Sequence, residues 1–161
     1  MLHLAATQDS VPQGSAIDAA RGQVNRMPSE QEVQQLGFLR ARALRVRVAP
    51  RVEPFHFCAL IEADPHREAA SYADALMHVL PQAIGRPILF RRPGIQSPSF
   101  DEAWVLSIIA SAQRGDEASL LFALASRCAA PFRRPIAFLV KGLADRLDEY
   151  DEALDWWWDA G

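Results

Sequence analysis

Lysine is almost missing from this chain. Sixteen of its 17 basic residues are Arg and only Lys141 is Lys. Arginine forms bidentate pairs that lysine cannot, but GC-rich coding also enriches it, so the count alone does not imply nucleic-acid binding. Cysteine is scarce too. Cys58 and Cys128 cannot build a disulfide framework, and no C-x-x-C pair exists to hold zinc or run thiol exchange. The eight glycines are scattered, so neither G-x-G-x-x-G nor G-x-x-x-x-G-K occurs. A G-x-S-x-G nucleophile elbow is also lacking. The longest apolar stretch, near 103–112, falls far short of the roughly 20 residues a membrane span needs. The start MLHLAATQDSVPQG has no basic region followed by a long apolar one, as a secretory signal would. These gaps weigh against an enzyme with a recognised motif and against a membrane protein. They imply no metal or cofactor and make the cytoplasm the expected setting.

What the chain does have is apolar mass. With 161 residues, 50% of them hydrophobic, it suits one domain with a real core. At this size roughly 68–70% of the unfolded surface can be buried. The net charge of −3 is unevenly spread. Residues 1–52 carry seven Arg and four acids, for a balance of +3. Residues 53–142 balance at 0, and residues 143–161 carry seven acids against Arg146 alone, for −6.

Residues 1–28, rich in Ala, Gln and Ser with Pro12 and Pro28, read as a mobile arm. Ser29 and Glu32 have the spacing of a capping box, in which hydroxyl and carboxylate each satisfy an orphan amide. A helix over about 30–42 follows. Leu44-Arg45-Val46-Arg47-Val48 alternates apolar and charged, the pattern of a half-buried strand. Pro50 and Pro54 then interrupt regular structure. Asp64-Pro65 opens a helix whose apolar residues recur at helical spacing up to Val79 and Leu80, where Pro81 is expected to stop it. RPILFRRPGIQ, residues 86–96, reads as a connector.

Ser99-x-x-Glu102 is a second capping box. It opens the apolar helix AWVLSIIASA, which ends near Gly115, and Asp116 caps the next helix, EASLLFALASRC. DEAWVLSIIAS at 101–111 and DEASLLFALAS at 116–126 agree at six of eleven positions, an echo that two similar helix starts explain. Apolar nearly all round, both helices are expected at the centre of the core. Pro131 and Pro135 read as bracketing a turn. Ile136, Val140, Leu143, Leu147, Tyr150, Leu154 and Trp157 then follow at alternating spacings of four and three, a seam of period 3.5. A continuous helix over 135–158 would be about 35 Å long, so its last turns are expected to overhang the body.

Three groups of residues are candidate sites. At the end of the seam, Trp156, Trp157 and Trp158 stand side by side between acids, and a helix cannot turn all three to one core. With Tyr150 and Leu154 they form a candidate docking segment, because tryptophan is enriched in binding hot spots and acids around aromatics suit basic, apolar grooves. An acidic polar face also argues against a membrane anchor. The second group is Arg40, Arg42, Arg45, Arg47 and Arg51, a stripe with no acid between Glu32 and Glu53. It could neutralise phosphates, but no nucleic-acid-binding motif or stacking platform accompanies it, and a solvated face or a partner for the acidic tail is preferred. The third, Cys58 with His56 or His66, could form a thiolate–imidazole pair or bind metal. Its spacing matches no zinc site, and a buried cysteine with surface histidines is the expected state.

RPILFRRPG, followed after a gap by SFDEAWVLSIIASAQRGDEASLLFALASR, resembles the layout of small uncharacterised bacterial helical proteins. The shared features are an R-P-apolar connector, a D-E-A helix start and a G-D helix hairpin, and they cover the middle third to half of the chain. The resemblance implies a helical fold and carries no activity and no functional residue.

These readings combine into an all-α, bundle-like domain of five or six helices spanning 29–161, behind the arm. Its core is expected to draw on Leu76, Trp104, Leu106, Ile108, Ile109, Leu120, Leu121, Leu124, Leu139, Val140, Leu143 and Leu147. The alternative is α+β, with a small sheet from 44–48, 55–60 and 87–90. The function expected is a non-catalytic protein–protein interaction protein, a regulator, adaptor or assembly factor, docking through the C-terminal helix onto another protein or a second copy of itself. A nucleic-acid-binding regulator and a thiol- or metal-dependent enzyme are the alternatives.

Overall fold

The computed structural model describes residues 26–48 and 65–159, except the side chains of Val48, 65–67 and 148–159. Those residues form five helices and no strand: α1 Glu30–Val48, α2 Pro65–Ile84, α3 Phe100–Gln113, α4 Glu117–Arg127 and α5 Ala130–Asp159. The all-α reading holds. The arm predicted for 1–28 and the candidate strand at 55–60 lie outside the described residues, apart from Arg26–Pro28. Arg26 pairs with Glu32 at 2.8 Å.

Local chemistry explains most helix boundaries. Ser29 Oγ accepts from the Glu32 amide at 3.2 Å, while the Glu32 carboxylate accepts from the Ser29 amide at 2.7 Å. The same reciprocal pair opens α3 from Ser99 and Glu102, and Asp116 caps α4 by accepting from Ser119 N–H at 3.1 Å. At the end of α3, Gly115 takes φ +68°, which side chains disfavour. Asp116 N–H then donates to the Ser111 carbonyl and Gly115 N–H to that of Ala112, so the last turn's carbonyls are satisfied by a Schellman closure.

Several expectations are corrected. Residues 44–48 are helical, because α1 continues to Val48 with Glu30 and Glu32 in its first turn and Arg45 and Arg47 in its last, both complementing the helix dipole. Segment 87–90 has no regular secondary structure and pairs with no strand among the described residues. Pro81 does not end α2. The helix runs through it to Ile84 and stops at Gly85, whose φ is +79°. Similarly, α5 begins at Ala130, ahead of Pro135, with Pro131 in a first turn whose amides have no intrahelical partners to lose.

Helix α5 is the organising element, and its largest contact is with α2. Their register is antiparallel. Glu68 pairs with Arg146 at 2.6 Å, and Ala129 N–H donates to the Ala83 carbonyl at the opposite end. Between these points Gly142 admits the Tyr72 ring, which fills the space a Cβ on that glycine would take. Ile136, Val140, Leu143 and Leu147 are buried, so the first four seam positions serve the molecule's own core rather than a coiled coil with another chain. Helix α3 is central, with Val105, Ile108 and Ile109 fully enclosed. Helix α4 is not. It buries Leu120 and Leu124, while Leu121 and Phe122 are 47% and 66% exposed, because α3 and α5 cover one of its sides and no described element covers the other. Of the predicted core residues only Leu121 is exposed, and Trp104 is half-buried.

Candidate functional site

Two buried carboxylates, Asp101 and Glu102, lie at the start of α3, beside the connector 86–99. Glu102 is fully buried, and its carboxylate accepts four hydrogen bonds: from Arg40 Nε and Nη2 at 2.7 and 3.1 Å, from Arg91 N–H at 2.8 Å and from Ser99 N–H at 2.7 Å. Asp101 also accepts four, two from Arg86, one from Arg127 at 2.6 Å and one from Leu89 N–H at 2.8 Å. Four is about the capacity of a carboxylate. Burial pushes the Glu102 pKa up, but Arg40 and the two amides more than offset it, holding the group below its ordinary value. Asp101 is held far lower, first by Arg86, against the opposing effect of burial, and then by Arg127 and the Leu89 amide. Two ionised carboxylates with every lone pair engaged can neither give nor take a proton in a reaction. Their work is to fasten the connector, and Arg40 adds bonds to the carbonyls of Ile95 and Ser97.

This network removes two of the five arginines from the candidate phosphate-binding stripe. Arg40 is 4% exposed and engaged with Glu102, and Arg42 is paired with Asp74. Arg45 and Arg47 are exposed and have no hydrogen-bond or ionic partner among the described residues. Arg51 lies outside those residues. The arginines were not expected to pair with α2 and α3. Glu102 is 62 positions from Arg40 in sequence, and no local pattern marks such a contact.

The thiol and metal candidates find no support in the geometry on view. His56, Cys58 and the His66 side chain lie outside the described residues, and within them no three His, Cys, Asp or Glu side chains are grouped as metal ligands. Cys128 is buried, and that burial raises its thiol pKa, so it stays protonated and unreactive.

A docking role for α5 rests on helix length and register. At 1.5 Å per residue its 30 residues extend about 45 Å, against about 30 Å for the 20 residues of α2. With Glu68 opposite Arg146 in antiparallel register, the first residue of α2 stands level with about residue 149. The remaining ten or so residues of α5 continue past the point where α2 begins. They include Tyr150, Leu154 and Trp156–Trp158, whose side chains are outside the described residues.

A groove that the sequence did not announce lies between the end of α1, the second half of α2 and the connector. It has a volume of about 330 Å³. Val46, Met77, Pro81, Pro87, Ile88 and Phe90 give it an apolar lining; Arg47 and His78 also line it, and among the described residues no carboxylate does. Burial, partly opposed by Asp74, lowers the pKa of His78. Pro81, which read as a helix stop, is here part of the wall. No family model, curated protein or solved structure matches the chain.

Proposed function

We propose that this chain is a non-catalytic interaction protein, a regulator, adaptor or assembly factor, that docks through the last turns of α5. The observation that supports the reading is the mismatch in length. The helix goes on for about ten residues after its main packing partner has ended, and that extension holds three of the four tryptophans and four of the chain's acids. An amphipathic helix presenting aromatic anchors to a groove is an established recognition mode. The engaged carboxylates and the inert Cys128 argue in the same direction, because the perturbed groups on view are occupied with structure. Among the described residues no helix is long and apolar enough to cross a membrane. Two cysteines and no disulfide framework accord with a reducing cytoplasm.

The test compares the full chain with one ending at Leu147 as baits in extract of the native cell. The shortened chain should keep its circular dichroism signal per helical residue and lose the partners that the full chain captures. Unfolding of the shortened chain, or unchanged capture, would remove the basis of the proposal.

A further inference from the structure

Two features described above are complementary in charge and shape. The groove is lined mainly by apolar side chains and, among the described residues, by no carboxylate. Arg47 lines it, Arg45 lies two residues earlier on the same helix end, and Arg92 lies two residues beyond Phe90 of the lining. All three are exposed and without an ionic partner among the described residues. The chain's surplus of the opposite charge is in residues 143–161, with seven acids against Arg146, and there the three adjacent tryptophans supply the apolar mass. From this juxtaposition we infer that the groove of one copy receives the Trp-bearing end of α5 from a second copy. The inference rests on the docking role proposed for that helix and names its partner.

Geometry excludes the simpler arrangement in which each chain fills its own groove. Helix α5 runs antiparallel to α2 and passes the start of α2 near residue 149. The groove uses Met77 and Pro81, from the other half of α2, at least about 18 Å back along the axis from Pro65. A helix unbroken to Asp159 travels away from its own groove and can enter only another molecule's. Such a contact joins two different patches, so copies can link head to tail or exchange tails in a closed pair. The seam offers no competing symmetric contact as far as Leu147, because those positions are buried within the subunit.

Full-length variants test this by complementation. Arg45→Glu with Arg47→Glu disables the groove, and Trp156→Ser with Trp157→Ser and Trp158→Ser disables the tail. Neither arginine has a partner to lose among the described residues, and circular dichroism should show both variants folded. In sedimentation velocity the unaltered chain should self-associate with rising concentration, less strongly at high salt because the attraction is ionic. Each variant alone should remain monomeric, with association weakened about 30-fold or more for loss of a central aromatic anchor. An equimolar mixture should form a one-to-one complex through the single intact groove and single intact tail. Self-association of the groove variant alone, or a mixture that stays monomeric, would overturn the inference. So would an unaltered chain that is monomeric at every concentration. If that monomer still captures another protein through its tail, the docking role survives and only the identity of the partner is wrong.

Discussion

Replacing Arg40 with Met would leave the Glu102 carboxylate buried with two of its four hydrogen bonds gone and no compensating charge. Truncating one partner of a buried ion pair typically costs about 3–5 kcal/mol. That is a large part of the roughly 5–15 kcal/mol by which a domain is stable. With a urea dependence of about 2 kcal/mol per M, the unfolding midpoint should fall by about 1.5–2.5 M. The second half of the experiment is Arg40→Met combined with Glu102→Gln. Glutamine can still serve the capping box by accepting from Ser99 N–H, although its Nε2 then faces Arg91 N–H, which loses its acceptor. The carbonyls of Ile95 and Ser97 released by Arg40 belong to exposed residues, where water can replace the guanidinium. The double variant should therefore recover part of the loss, because the larger share of the penalty comes from an uncompensated charge and the smaller from the Arg91 amide left without an acceptor. A single-variant cost below about 1 kcal/mol, or a double variant no better than Arg40→Met, would refute the assignment of this pair as the fastening of the connector.

Gly142→Ala should destabilise by about 1–3 kcal/mol in the same assay, since the new methyl would occupy the space of the Tyr72 ring, itself held between the Arg146 guanidinium and Phe138. Leu124→Ala should cost about 2–5 kcal/mol and Leu121→Ala much less, although the two leucines sit on one short helix, because only the first is buried. Acid should unfold the protein through the connector. Asp101 and Glu102 are held below their ordinary values of 3.8 and 4.5. The stability they contribute is thus fully present above about pH 4.5 and is lost as pH falls through their folded values. A urea midpoint that drops steeply below pH 4.5, beyond the shallow decline that the lowered His78 pKa gives below about pH 6.5, checks this. The drop should be smaller in the double variant, which has no carboxylate at position 102.

Where the chain's local chemistry decided the outcome, sequence and structure agree. Ser29–Glu32, Ser99–Glu102 and Asp116 cap the helices as their spacing required, and the seam residues from Ile136 to Leu147 all reach the core. Where tertiary contacts decided it, they diverge. The alternation over 44–48 suited a strand, yet Arg40 and Arg42 fasten α1 to α3 and α2 and the helix simply continues to its end. Pro81 and Pro135 lie inside helices that packing sustains on either side of them. The D-E-A echo hid a difference in role. Asp101 sits inside α3 and grips the connector, whereas Asp116 is the cap of α4. Glu102 is fully buried, whereas Glu117 is 60% exposed beside Lys141. The groove could not be read from pattern at all, because its walls come from three segments that are distant in sequence and carry no shared motif.

The docking account depends on tryptophans that the subunit does not need for its own core. Trp104→Phe leaves Trp156, Trp157 and Trp158 as the only indoles, so the fluorescence of that variant reports on the tail alone. In dilute solution, where copies are apart, the emission should be water-like and readily quenched by acrylamide, and it should shift to the blue with reduced quenching as concentration rises. Emission that is blue-shifted and protected at the lowest concentration would place the indoles inside a single subunit and contradict the account.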